Sequence, residues 1–129
     1  MTPASFRRMA LSLEGSSEGG HGGHPDFRAG GKVFASMGYP DAKSAVVKLT
    51  PGQQEVLVAA EAEIFSPVKG AWGLRGYTRV HLPAANSKTM RSALAMAWQN
   101  VMLPSPSRRG AGPGGGASPR SAMRSARRR

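Results

Sequence analysis

The change in composition at Pro104 limits the fold more than any other feature of the sequence. Residues 104–129 consist mainly of Gly, Pro, Ser, Ala and Arg, without periodic apolar residues. Such a segment cannot bury enough surface to offset the entropy lost on ordering, so we predict a disordered tail over 104–129. The fold is therefore expected within residues 1–103, a length that suits one domain with one modest core.

Positive charge is concentrated in this predicted tail. The chain has a formal net charge of +11, and residues 104–129 contain seven arginines and no acidic residue. Residues 1–103 are left with a net charge of +4. A polybasic tail adds sequence-independent affinity for phosphates, although the same composition is typical of GC-rich coding under little constraint.

The residue content also excludes or disfavours several classes of function. The chain contains no cysteine, which rules out disulfides and thiol nucleophiles. No apolar run reaches the ~20 residues of a membrane span and no secretory signal is evident, so we expect a cytoplasmic protein without a membrane partner. No phosphate-binding loop and no nucleophile elbow occurs, and we expect a non-enzymatic protein with no catalytic residues and no cofactor.

One segment contains residue types that bind metals, His21-Gly22-Gly23-His24-Pro25-Asp26. Its two glycines leave the histidines poorly positioned and a structural zinc site needs a fourth ligand, so we expect no metal. Glu61 and Glu63 are interpreted as a solvated surface pair rather than a catalytic pair.

Periodicity and turn signals predict an α+β fold with the element order α-β-β-β-α-β-β-α. Helices are predicted after Thr2, over 51–60 after a capping box at Thr50, and over 87–102. Strands are predicted on both sides of Gly30-Gly31, over 45–49, from Ile64, and over 75–82, whereas 15–24 and 67–73 are predicted loops. The helices would cover one face of a mostly antiparallel sheet, which gives a two-layer α/β domain.

Apolar spacing predicts the buried face of each of the last two long helices. In the second helix this face is Val56, Leu57 and Ala60. In the last helix a longer stripe comprises Met90, Ala93, Leu94, Ala97, Trp98 and Val101.

The strand predicted over 75–82 supplies the best candidate for a binding surface. Alternation places Arg75, Tyr77, Arg79 and His81 on one face. Basic residues of other strands extend this surface, namely Arg28, Lys32 and Lys48. Basic side chains bind phosphates and an aromatic ring among them stacks on bases. An ordinary half-exposed strand shows the same alternation, but the lack of nearby acids favours a nucleic-acid interface.

Four segments, in order, resemble the MmcQ/YjbR family of small bacterial proteins. They are HPDFRAGGKVFASMGYPD (24–41), AVVKLTPGQQEVL (45–57), PVKGAWGLRGYTRVHL (67–82) and MRSALAMAWQNV (90–101). The resemblance covers nearly all of 1–103 and implies a secretion-chaperone-like two-layer fold. The sequence departs from the family pattern at Leu103-Pro104. The resemblance implies a short basic extension of the last helix there, but Pro104 ends the helix.

The resemblance also implies DNA binding through two wings. These would be the Gly30-Gly31 hairpin and the loop over 70–73. The contact candidates that it implies are Arg28, Lys32, Trp72, Arg75, Tyr77 and Arg79.

Three hypotheses follow, of which we favour the first. The chain is a DNA-binding protein of weak sequence specificity, with contacts from Arg28, Lys32, Lys48, Trp72, Arg75, Tyr77 and Arg79. Alternatively, it is a protein-binding module that forms a homodimer, which predicts an exposed apolar patch. In the third hypothesis a closed pocket lined by Trp72 and Tyr77 binds a small molecule.

Overall fold

The computed structural model of the chain describes residues 1–21 and 24–103, so the predicted tail lies outside the described residues. The helices are α1 (Pro3–Leu11), α2 (Pro51–Ala60), α3 (Ala71–Leu74) and α4 (Ser87–Met102). The strands are β1 (Ser17–His21), β2 (His24–Ala29), β3 (Lys32–Met37), β4 (Ser44–Lys48), β5 (Phe65–Pro67) and β6 (Tyr77–His81). A single 3₁₀ turn, Leu82–Ala84, joins β6 to the segment before α4.

The described strands form one six-stranded sheet in the order β1-β2-β3-β4-β6-β5, and every neighbouring pair is antiparallel. The first four strands are neighbours in sequence as well as in space. The chain then forms α2 and β5 before β6 pairs between β4 and β5. The predicted α+β class and antiparallel sheet are confirmed.

Side-chain caps fix the starts of the three longer helices. The Thr2 hydroxyl accepts a hydrogen bond from the Ser5 amide, and Asn86 accepts one from the Thr89 amide. At Thr50 both bonds of the predicted capping box form with Gln53. Each cap satisfies amides that have no partner inside the helix, which is worth about 1 kcal/mol per cap.

The core lies between one face of the sheet and the apolar stripe of α4. Met90, Ala93, Leu94 and Ala97 are fully buried, and they belong to the same core as Phe27, Phe34, Phe65 and Val47. Trp98 lies at the edge of this stripe, half-buried, where its indole nitrogen donates to the Glu14 carbonyl oxygen at 2.8 Å. Burial of each large apolar side chain contributes roughly 1.5–3 kcal/mol, which makes α4 the main cover of the sheet.

The predicted buried face of α2 is wrong at Val56 and Ala60, whereas Leu57, the third residue of that face, packs against the core. Val56 is 65% exposed and Ala60 is exposed, while Gln54, Leu57 and Val58 are partly buried. The Gln54 amide nitrogen donates to the Tyr77 carbonyl oxygen at 3.0 Å and to the Thr78 hydroxyl at 3.2 Å. This helix therefore covers polar groups of β6, with Gln54 facing inward and the predicted Val56 facing solvent.

Two of the predicted loops contain regular structure. The Gly- and Ser-rich residues of β1 pair with β2 from Ser17↔Arg28 to His21↔His24, because the neighbouring strand supplies the hydrogen bonds whatever the side chains are. The predicted loop over 67–73 contains the start of the single-turn helix α3.

The start of β6 also differs from the prediction. Arg75 follows α3 as its C-terminal cap residue, and the strand begins only at Tyr77. The intervening Gly76 has φ +104°, which interrupts the strand alternation. The sequence pattern predicts that Arg75 shares a strand with Tyr77, Arg79 and His81. This prediction is wrong for Arg75, which lies before the strand.

Two glycines hold α3 against the sheet. A Cβ on Gly76 would lie 2.0 Å from the Leu49 carbonyl oxygen, and one on Gly73 would lie 1.8 Å from that of Val68. The same two residues are joined by a hydrogen bond, in which the Leu49 amide donates to the Gly76 carbonyl oxygen at 3.2 Å. Only glycine permits backbones to approach so closely.

Gly76→Ala is expected to lower the free energy of unfolding by about 2–4 kcal/mol, because it combines a left-handed backbone conformation with a clash against backbone atoms. Gly52→Ala is the matched control, since a Cβ there meets nothing within 4 Å. It should stabilise the protein by up to about 1 kcal/mol. Urea denaturation measures both, and a G76A variant as stable as the parent would contradict the close approach.

Candidate nucleic-acid interface

Four side chains from three elements converge at one end of the sheet, and we call them the basic-aromatic cluster: Lys48, Trp72, Arg75 and Tyr77. Lys48 ends β4 and pairs in register with Tyr77, the first residue of β6. The preceding turn of α3 brings Trp72 against Tyr77, with ring centroids 4.9 Å apart and the planes at 90°. This edge-on contact is a favoured geometry for two aromatic rings.

Each ring of the cluster has a cation beside it. The Arg75 guanidinium carbon lies 5.4 Å from the centre of the Trp72 ring, and Lys48 Nζ lies 5.9 Å from the centre of the Tyr77 ring. Among the described residues neither cation forms a salt bridge with a carboxylate. Their charges are therefore available to an anion.

The cluster is open to solvent at Trp72. This side chain is 55% exposed even though it contacts Tyr77 and Arg75. Arg75 is also exposed, whereas Lys48 and Tyr77 are half-buried. An exposed indole in contact with a second ring and a guanidinium group offers a flat apolar surface next to positive charge.

The registers place the two predicted wings at this same end of the sheet. Ala35 pairs with Val47 and Lys48 with Tyr77, so the β2–β3 turn, the end of β4 and the start of β6 lie on one side. In that turn Gly30 and Gly31 have φ +60° and +80°, as a tight hairpin requires. Lys32 follows the turn and is exposed.

Two of the candidate arginines are already paired with acids. Arg28 Nε donates to Asp26 Oδ1 at 2.9 Å, and its Nη2 donates to Asp26 Oδ2 at 3.1 Å. Hydrogen bonding and charge from Asp26 raise the pKa of Arg28 above its usual range. Arg79 donates to the Ser44 hydroxyl at 3.0 Å and to Asp41 Oδ2 at 3.3 Å.

The premise that no acids lie near the candidate basic residues therefore does not hold for Arg28 and Arg79. Asp26 could have been recognised from the sequence, since residues two apart on a strand share a face. Asp41 could not, because it lies 38 residues from Arg79 in the chain. Sequence reasoning also missed Lys69, an exposed lysine between β5 and α3 that forms no salt bridge with any described residue.

The third hypothesis, a pocket lined by Trp72 and Tyr77, gains no support from the described residues. An open depression of about 350 Å³ lies elsewhere, between α1 and the start of α4, lined by residues that include Arg8 and Arg91. The indole of Trp72 is instead largely exposed.

Within residues 1–21 and 24–103, no three His, Asp or Glu side chains come close enough to hold a metal ion. The segment His21–Asp26 is only partly described, since 22 and 23 are not. No helix in the same ranges is long and apolar enough to cross a membrane.

Over the described residues, the fold and this surface define a small α+β protein with its long helices on one face of an antiparallel sheet and basic and aromatic residues at one end of that sheet. The YjbR family model matches residues 11–100, and the chain belongs to this family. The family identification made from the four sequence segments is thereby confirmed.

A solved structure shares this fold. Protein DR2400 of Deinococcus radiodurans, a DUF419 protein, superposes with a TM-score of 0.67 at 16% sequence identity, covering 79% of each chain. Among curated proteins, none matches the chain.

The hydrogen bonds of Asp41 generate a pH prediction. Its carboxylate accepts from the Ser44 hydroxyl and the Lys43 amide, both at 2.9 Å. These bonds, followed by the charges of Arg79 and His81, hold the pKa of Asp41 below its usual 3.8. A carboxyl whose pKa is lowered by folding stabilises the protein above its unfolded pKa and ceases to do so as pH falls through the folded value.

Asp41→Asn should therefore be less stable than the parent at neutral pH. The difference in free energy of unfolding should shrink as pH falls below about 4 and vanish once Asp41 is protonated in both states. Urea unfolding of both proteins across this range provides the measurement. A difference that stays constant down to the lowest pH would contradict the assigned cause.

Proposed function

We propose that the chain is a non-enzymatic DNA-binding protein of weak sequence specificity and that the basic-aromatic cluster is its main contact surface. One observation carries this proposal. Lys48 and Arg75 have no carboxylate partner among the described residues, and they lie beside the exposed ring of Trp72. Cations without partners bind phosphates, and such contacts position a protein on DNA without reading its sequence.

Neighbouring positive charges extend the proposed surface. Lys32 and Lys69 are exposed, and both lie next to elements at the same end of the sheet. Four lysines and arginines at one end would raise the local concentration of a polyanion and speed its association. In this proposal the hairpin carrying Lys32 and the turn carrying Trp72 act together as the two wings.

Arg28 and Arg79 have a different role in this proposal. Both hydrogen-bond to carboxylates of their own chain, and an arginine paired in this way binds a phosphate only by giving up or sharing that partner. Their guanidinium groups hydrogen-bond to side chains of the same chain. We therefore expect them to contribute less to the affinity for DNA than Lys48 and Arg75. The sequence-based ranking, which treats all of these residues as equal contacts, is revised accordingly.

The arginine-rich tail is proposed to add affinity of a less specific kind. The last described residue, Leu103, follows α4, whose Met102 side chain lies beside the hairpin. A Cβ on Gly30 would lie only 3.3 Å from Met102 Sδ. The chain thus enters the segment with seven arginines close to the proposed surface, and a DNA molecule bound at the cluster would lie within reach.

A second candidate function is protein binding, and one observation favours it. Leu74, two residues after Trp72 on α3, is 83% exposed. Exposed apolar side chains on one turn are suited to a protein partner or to a second copy of this chain. Truncation of Leu74 should weaken such a complex and leave DNA binding unchanged.

A salt series separates the fold from the tail. Full-length protein and residues 1–103, the latter checked for folding by circular dichroism, are titrated onto duplex and single-stranded DNA. Three or more phosphate contacts within 1–103 should give a slope of log K against log salt of about −2.7 or steeper on duplex. If only the full-length protein binds, the tail explains the binding and the proposed role of the cluster is wrong.

Arg75→Ala should weaken binding of residues 1–103 equally for all sequences and make the salt slope shallower by about 1, because one phosphate contact is lost. Arg91→Ala is the charge-matched control, since Arg91 is exposed on α4, the helix that covers the opposite face of the sheet. Fluorescence anisotropy with labelled oligonucleotides measures both. Equal losses in the two variants would indicate a general charge effect and would contradict a localised surface.

A further inference from the structure

Trp72 combines a fixed orientation with an exposed ring. It is 55% exposed, yet the Tyr77 ring contacts it edge-on and the Arg75 guanidinium lies over it. A tryptophan needed only for packing would be expected to bury more of its indole. The arrangement matches what a stacking surface requires, a ring that keeps its orientation while water can be displaced from it by another flat group.

The local backbone is poorly suited to reading a DNA duplex. The helix that carries Trp72 has four residues, about 6 Å of helix, which is too short to lie along a major groove and present several side chains to base edges. Within a duplex the faces of the bases are covered by their neighbours, so a ring such as Trp72 has no flat partner there unless the stack is opened.

We infer that the basic-aromatic cluster binds unpaired nucleotides, with a base stacked on Trp72 and its phosphates on Arg75 and Lys48. This inference rests on the proposed function and narrows its partner from DNA in general to single-stranded DNA. Tyr77, half-buried and edge-on to Trp72, supports the indole rather than forming a second stacking surface.

The cations and the Trp72 ring of the cluster make separable contributions to the affinity for a nucleic acid. Cations bind the phosphates of any strand, whereas the ring distinguishes a strand with bases from one without them. A strand of abasic sites keeps the phosphates and removes the bases. Because phosphate binding by the seven arginines of the tail would be the same for both strands, comparison of the two strands isolates the contribution of Trp72 even in the full-length chain.

The experiment uses the full-length chain with four labelled probes, namely an oligothymidine, an abasic strand of equal length, a mixed-sequence single strand and its duplex. Anisotropy titrations should show tighter binding to both base-containing single strands than to the abasic strand or the duplex. Trp72→Leu should weaken binding to the base-containing single strands by about 5- to 150-fold, the range for loss of one stacked base, and leave binding to the abasic strand unchanged.

Two further variants serve as controls. Trp72→Phe retains a ring and should restore most of the preference for base-containing strands. Leu74→Ala removes a neighbouring exposed apolar side chain outside the cluster and should change nothing. Far-UV circular dichroism confirms that each variant keeps the fold, which the exposure of both side chains favours.

The outcomes separate this inference from the proposed function. Equal affinity for abasic and base-containing strands, or equal losses on both in Trp72→Leu, would overturn the stacking inference and leave phosphate binding by Arg75 intact. If Arg75→Ala changes the binding of none of the four probes, the proposed function of the cluster is wrong, and the stacking inference fails with it.

Discussion

Packing of the α4 stripe against the sheet is the interaction on which the remaining structure depends. Met90, Ala93, Leu94 and Ala97 are completely buried, and α1 adds Phe6, whose ring lies 6.1 Å from that of Phe27. Because the long helices α1, α2 and α4 all cover the same face, the side chains of Lys48, Tyr77 and Arg79 lie on the other face, where Trp72 of the short helix α3 contacts Tyr77. The core thus determines which side of the sheet is open to a ligand.

A second constraint acts at one end of the sheet. The backbone of Gly76 lies so close to Leu49 that the chain must leave α3 and enter β6 in one orientation. This contact positions Trp72 and Arg75 over the first residue of β6, where Lys48 is already paired with Tyr77. Side chains from distant parts of the sequence meet there because two glycines allow the backbones to touch, and the proposed binding surface is therefore coupled to the stability of this turn.

Much of the fold follows from local signals. The caps at Thr2 and Thr50, the Gly30-Gly31 hairpin and the stripe of α4 depend on neighbouring residues and were predictable from them. Features that depend on residues distant in the sequence could not be predicted in this way. The strand character of β1 comes from pairing with β2, and the inward Gln54 responds to polar groups of β6. At the site, the sequence identified Lys48, Trp72, Arg75 and Tyr77 as candidates, but the pairing of Arg79 with Asp41 needed the folded chain to bring them together.

Two-dimensional NMR of ¹⁵N-labelled residues 1–103 titrated with a short single strand can locate the proposed contact surface at the basic-aromatic cluster. The two tryptophans provide an internal comparison. We expect a large shift of the exposed Trp72 indole NH and little change for Trp98, whose indole NH is bonded to the Glu14 carbonyl oxygen. Shifts confined to Trp98 and the helices, or no shift of Trp72 at saturating ligand, would contradict it.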